Sequence, residues 1–498
     1  MFTVNFYTNW APIQEMSDWF GYWATHGVKP IFTCEYCVPM SWDWTMYRGW
    51  YRGARNYGGA TVPWEFCLAE WNAQFLGDEA FRISEPEKRN LRWEGEQFRN
   101  GRLWHRWDYP TNVGSSAFVE RDPVYAAYFK DNWRAFRTWG MSANSPWDHG
   151  HFWRLREGVD RGRQDLQVDW DSLQRPGMSP DFIEDRYERI DLAYEREDWI
   201  PGVAAQALVE NNGPLLAYIG GKPDAFTSKD HNFHPGETFQ KQLIVINNSR
   251  ETVSCACEWS LALPRALGGK ESVVLATGQI ERLPLTFGLP AGLAPGRYML
   301  TATFRFGNGE TQQDSFAVDV LPVREPVRAA GRLALFDPRG ETAQLLDRLG
   351  VAFERVEAYV DASAYDLLIV GKGALTVGGP GPDLASVREG ARVVVFEQTP
   401  EVLEQRLGFR VTAYGLRNVF QRVPDHPVLS GLRPEHLENW RGDATILPPE
   451  LEYRISSQFG APTVSWCGIP VTRVWRAGNR GNVASSLIEK PAAGDFLP

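Results

Sequence analysis

The chain has 498 residues, a formal net charge of -10 and a mean hydropathy of -0.37, enough length for about two to four packed domains. The acidic balance argues against a nucleic-acid partner, which needs a basic face, and no apolar run approaches the roughly 18 residues of a membrane span. Six cysteines (Cys34, Cys37, Cys67, Cys255, Cys257 and Cys467) make no paired framework, so neither a metal nor a cofactor is expected.

The first segment, Phe2-Thr3-Val4-Asn5-Phe6-Tyr7, reads as an apolar strand ending in polar and aromatic groups. Met16, Trp19, Phe20 and Trp23 then recur at helical spacing over roughly 13–26. Lys29-Pro30-Ile31-Phe32-Thr33-Cys34-Glu35-Tyr36 follows as a short buried strand that ends on a carboxylate. Strand, helix and strand in this order imply a parallel pair. In a (β/α)₈ barrel the reactive groups sit where strands end, because the loops at that face converge on one cavity; Asn5, Tyr7, Glu35 and Tyr36 are expected to meet there. A third unit runs from the amphipathic stretch 124–139 into Met141-Ser142-Ala143-Asn144-Ser145-Pro146-Trp147-Asp148-His149.

Taken together, residues 1–155 resemble the last three βα units of a clan A glycoside hydrolase, the β-galactosidase-like and cellulase-like barrel enzymes. The resemblance rests on the Lys-Pro-apolar run ending in Glu35-Tyr36, on Val4-Asn5-Phe6-Tyr7 and on Trp147. It implies that Glu35 is the nucleophile, Tyr7 its hydrogen-bonding neighbour and Trp147 the floor of the sugar subsite. The acid/base glutamate of that clan belongs on an earlier strand, so it is expected to be missing here and the chain to be a piece of a longer protein. A retaining glycosidase uses two carboxyls about 5–5.5 Å apart.

Of the 21 tryptophans, most lie in this region and in its long insertion, 39–122. Aromatic rings stack on the apolar faces of sugars, which makes Trp42, Trp44 and Trp147 candidate cleft residues, whereas Trp19, Trp23, Trp133 and Trp139 have core spacing. Glu70 in the insertion reads as a structural glutamate before a second catalytic carboxyl. Asp148 and His149 are candidates for sugar hydroxyl contacts, and Asp148-His149-Gly150-His151 lacks a third clear metal ligand.

Residues 156–202 read as a charged connector. From 203 to 322 the pattern is β: Val253, Cys255, Cys257, Trp259, Leu261 and Leu263 alternate with more polar neighbours. Gly307-Asn308-Gly309 joins two further strands as a hairpin. This predicts an immunoglobulin-like sandwich with both cysteines as small core residues. A linker, 321–330, leads to alternating strands and helices over 331–445, a flavodoxin-like parallel sheet. That part resembles the glutamine-amidotransferase-like accessory domains of trimerising β-galactosidases, with Asp425-His426-Pro427-Val428-Leu429-Ser430-Gly431-Leu432 as the matching segment. The turn Gly371-Lys372-Gly373 carries no nucleophilic cysteine, so catalysis is not expected there. The tail, 446–498, reads as short strands, cut off at its end.

The fold class expected is thus multidomain: a partial (β/α)₈ barrel, a β-sandwich and a flavodoxin-like α/β domain. The function expected is retaining hydrolysis of a β-linked oligo- or polysaccharide, the alternative being a noncatalytic carbohydrate-binding or assembly protein with a degenerate barrel. The expected partner is a carbohydrate, with no nucleic acid and no membrane; self-association is left open. The compartment is open too, extracellular or periplasmic being favoured if a leader precedes the chain.

Overall fold

A computed structural model describes residues 2–6, 12–26, 30–36, 75–77, 79, 84–102, 110, 122–146, 152–159, 164–165, 185–186, 196–323, 329–408, 411–414, 417–421, 423–441 and four short strands within 453–484. These residues form several separate sheets, parallel and antiparallel, with few helices. No sheet among them closes into a barrel.

The first unit is a parallel three-stranded sheet in the order β1 (Phe2–Phe6), β2 (Ile31–Tyr36), β3 (Ala143–Pro146). Between β1 and β2 the expected single helix is two, α1 (Ile13–Asp18) and α2 (Gly21–His26). The break is imposed from another helix. The Trp139 indole donates to the Ser17 carbonyl at 2.9 Å, the acceptor that the Gly21 amide would use in a continuous helix. A Cβ on Gly21 would also stand 2.9 Å from that ring.

The helical run before β3 comprises Asp122–Ala127, one π turn Tyr128–Asn132, and Trp133–Trp139, which ends on Gly140 in the left-handed region (φ 77°). Its buried face, Tyr125, Tyr128, Phe129, Trp133 and Phe136, packs on Ile31 and Tyr36 of β2 and on Met16 and Phe20. The helix Val203–Asn211 supplies Ala204 and Ala205 to this same core. Although 203 was expected to open the sandwich, this helix therefore belongs to the first unit: the strand Trp153–Leu155 pairs with Trp199–Pro201 and carries the chain back.

The sandwich begins at β4 (Leu215–Gly220). One sheet joins β4, β5 (Thr238–Asn247) and β8 (Ile280–Gly288); the other joins β6 (Val253–Leu261), β7 (Leu267–Leu275), β9 (Gly296–Phe306), β10 (Thr311–Val320) and the short strand Asn232–Phe233. All these pairings are antiparallel except that of the short strand with β10. Strand alternation puts Phe239, Leu243, Val245, Leu261, Leu300 and Phe304 between the sheets. Cys255 and Cys257 join them as free, buried thiols on one face of one strand.

The third unit is a four-stranded parallel sheet containing β11 (Leu333–Phe336), β12 (Leu367–Val370) and β13 (Val393–Val395), with Glu354–Arg355 on its edge. Strand order reverses next to β11, the flavodoxin-like arrangement. The strand Val411–Tyr414 pairs with Thr472–Ala477, so it joins the expected tail rather than the α/β sheet.

Candidate functional site

The candidate centre lies at the carboxyl edge of the first sheet. Glu35 is the penultimate residue of the middle strand and is paired in register with Asn5. The ladder is irregular there: Val4 pairs with Thr33 but Asn5 with Glu35, so one extra residue of β2 enters the pairing. Such bulges re-aim side chains and are over-represented beside active sites. One step inward, the Thr33 hydroxyl donates to Asn144 Oδ1 at 2.7 Å, joining β2 to β3. The side chains of Glu35 and Asn5 fall outside the described part, as do Tyr7, Trp42, Trp44, Glu70, Trp147, Asp148 and His149 altogether.

Tyr36 is a correction. It was expected to line the cleft, yet it is 0% exposed and faces the helices. Its ring centroid stands 5.4 Å from that of Phe136 and 5.8 Å from that of Trp133. The π turn shapes this contact: its Tyr128 carbonyl accepts from the Trp133 amide five residues on and also faces the Tyr36 ring hydroxyl. The Tyr36 hydroxyl lies 3.1 Å from both the Tyr128 carbonyl and Asn132 Oδ1, which share its proton. Asn132 in turn donates to the Ile13 carbonyl at 3.0 Å and to Ser17 Oγ at 2.7 Å. The residue after Glu35 is therefore bolted through Asn132 to α1.

Other polar groups join the units behind this edge. Arg417 donates to Glu15 on α1 in a buried ion pair spanning 402 residues of sequence. Asp18 accepts from Thr227 at 2.6 Å. Burial pushes the Asp18 carboxyl up to about 6, Thr227 and Arg417 opposing the rise and Glu15 adding to it. In the sandwich, His231 lies between Asp319 at 3.0 Å and the Glu438 carbonyl at 2.8 Å, and Arg297 forks onto Asp319 at 2.9 and 3.0 Å. Burial acts to raise Asp319, but the bonds from Arg297 and His231 prevail and hold it below the usual carboxylate range.

None of these contacts was read from the sequence. A different buried charge left a visible trace: Lys241 shares its strand phase with Phe239, Leu243 and Val245, all buried between the sheets, so a lysine stands where the pattern asks for an apolar residue.

At the carboxyl edge of the α/β sheet, the Gly371-Lys372-Gly373 turn is filled from within. A Cβ on Gly371 would stand 2.5 Å from Asp337 Oδ1, and the buried Gln398 amide donates to the Gly371 carbonyl at 2.7 Å.

No family model matches the chain, and no curated protein matches it. Solved structures similar to parts of it include the CARDB domain of the PF1109 protein from Pyrococcus furiosus, at 17% identity and a TM-score of 0.17 over 22% of this chain and 87% of that one. A β-glucosidase from Listeria innocua is similar at 15% identity and a TM-score of 0.17, over 21% of this chain and 16% of that one. A family 123 glycoside hydrolase from Clostridium perfringens is similar at 11% identity and a TM-score of 0.16, over 25% and 30%. Weak neighbours of low coverage thus include glycoside hydrolases, and likenesses at these scores carry no argument about function.

Proposed function

We propose that the chain carries the nucleophile of a retaining glycoside hydrolase that acts on a β-linked saccharide. The observation supporting this reading is the place of Glu35: the carboxyl end of the middle strand of three parallel strands, in register with Asn5 and at a bulge. In parallel α/β architectures that edge is where reacting groups collect. The Glu35 carboxylate attacks the anomeric carbon and displaces the aglycone oxygen, which takes its proton from a second carboxyl; water then hydrolyses the glycosyl ester. Asn5, Tyr7, Trp42, Trp44, Trp147, Asp148 and His149 are assigned to the saccharide, the aromatic rings as stacking surfaces. Tyr36 is a positioning residue: its buried hydroxyl fixes the strand end next to the nucleophile.

The test is covalent trapping. Activated aryl 2-deoxy-2-fluoroglycosides need no protonation of their leaving group, so labelling depends on the nucleophile alone. Peptide mapping should find the glycosyl ester on Glu35. A label on Glu70 or Asp148 would move the nucleophile elsewhere, and saturable saccharide binding without any label would favour the noncatalytic reading.

A further inference from the structure

A cavity of about 130 Å³ lies between the helix layer of the first unit and the sandwich, several times the room that one buried water needs. Gln14 and Ser17 of α1, Asp131 and Arg134 of the following helical run, and Lys241 and Phe316 of the sandwich are among its walls. The loop after β4 closes it. That loop is fixed: a Cβ on Gly221 would meet the Ser228 carbonyl at 2.5 Å, and the Gln242 amide donates to the carbonyls of Gly221 and Lys222 at 3.2 and 2.8 Å.

The lining carries four cations, Lys130, Arg134, Lys229 and Lys241, and two carboxylates, Asp131 and Asp314. Both carboxylates are already engaged. Asp314 accepts from Arg134 at 2.9 Å and from the Ile219 amide at 3.0 Å, with Lys130 at 3.8 Å, and Asp131 is paired with Lys229. Lys241 is left over: it is 1% exposed, its amine lies 3.8 Å from the centre of the Phe316 ring, and the Ser228 carbonyl stands at the outer limit of hydrogen bonding, 3.5 Å. A buried ammonium with no carboxylate at ion-pair distance, Asp230 acting on it only from further away, is held at a large desolvation penalty.

We infer that this cavity is a binding site for a small oxyanion, a carboxylate or a phosphate or sulfate ester, that completes the coordination of the Lys241 ammonium. With both carboxylates spoken for, the protonated lining has an excess of two positive charges (four minus two), and an oxyanion supplies the missing charge together with several acceptors. The shift of the Lys241 amine has the direction expected of a buried cation with no carboxylate in contact. Burial pushes the Lys241 amine down to about 7; Asp230 pulls it up, while Lys229 and Arg441 push it further down. Binding of an oxyanion therefore takes up a proton at neutral pH and weakens as the pH rises.

Sulfate is the first probe, because its charge does not change across this range. Calorimetric titration of the full chain with sodium sulfate near pH 6, against sodium chloride at matched ionic strength, should show saturable one-site binding. The affinity should fall about tenfold or more by pH 9, and by a similar factor in Lys241→Met, whereas Lys222→Met, outside the cavity, should bind as the parent does. Glucuronate and glucose 6-phosphate in the same titration separate the two sources: the tighter ligand identifies a carboxylate or a phosphate ester. In the unsubstituted chain, sulfate should also slow acetylation of Lys241 by acetic anhydride, read by peptide mass, which needs no variant to fold. Absence of saturable sulfate binding near pH 6, or binding that survives Lys241→Met unchanged, overturns the proposal.

Discussion

Glu15 on α1 and Lys241 on β5 are both buried charges, one in the helix layer of the first unit and the other in the sandwich across the cavity. Glu15 is 2% exposed and has Arg417 as its counter-ion, so its charge ties the start of the chain to the segment after the α/β sheet. Lys241 is equally buried but faces an aromatic ring and a distant carbonyl. The first arrangement spends its electrostatics on holding chain segments together; the second leaves an unmet demand. The difference separates a structural charge from a receptive one. A paired charge resists removal of its partner, whereas an unpaired one should improve the fold when it is itself removed.

The largest expected effect breaks the paired side. Arg417→Met strands a buried carboxylate and should destabilise the protein by about 3–5 kcal/mol in denaturant unfolding. Adding Glu15→Gln should recover a good part of that loss; equal losses in the single and double variants would show that the ion pair does not matter.

The next sharpens the unpaired side through its pH dependence. The folded pKa of Lys241 is depressed, to about 7 from 10.5, so between those values the unfolded chain holds more protons and stability rises with pH. The penalty is complete below about 7 and is gone above about 10.5. In oxyanion-free buffer Lys241→Met should therefore be more stable than the parent near pH 6, by roughly 5 kcal/mol. That advantage should close towards pH 10. A constant difference across this range would mean that the lysine is not desolvated in the folded chain.

How much of this could be read beforehand depends on the reach of each interaction. The hairpin around Gly307-Asn308-Gly309 and the alternation of Val253 to Leu261 were legible because a strand's two faces are encoded by neighbours two residues apart. The parallel order of β1, β2 and β3 followed from strand–helix–strand succession. The split of the helix at Trp19 and Phe20 was not legible, since its cause is the Trp139 indole 122 residues away. Nor was the orientation of Tyr36: the π turn that supplies its partners lies 92 and 96 residues further on. Within the candidate site the sequence reached Glu35 and Asn5, whose register is observed. The ion pair of Glu15 with Arg417 has no local signature at all.

A smaller effect tests the reassignment of Tyr36. Tyr36→Phe keeps the ring and removes the hydroxyl shared between Tyr128 and Asn132, so it should lower stability by about 1–2 kcal/mol. Saccharide affinity should stay unchanged, while kcat on an activated substrate falls because the strand end beside Glu35 is held less firmly. A selective loss of affinity at unaltered stability would return Tyr36 to the cleft.

The central claim, that Glu35 is the nucleophile, is tested most directly by chemical rescue. Glu35→Gly should lower kcat on an activated aryl β-glycoside by about 10³ or more. Added azide should then restore turnover by entering the vacated space and attacking the anomeric carbon, giving a glycosyl azide of inverted, α configuration. Undiminished kcat in Glu35→Gly, or rescue that gives the retained β-azide, would contradict the account.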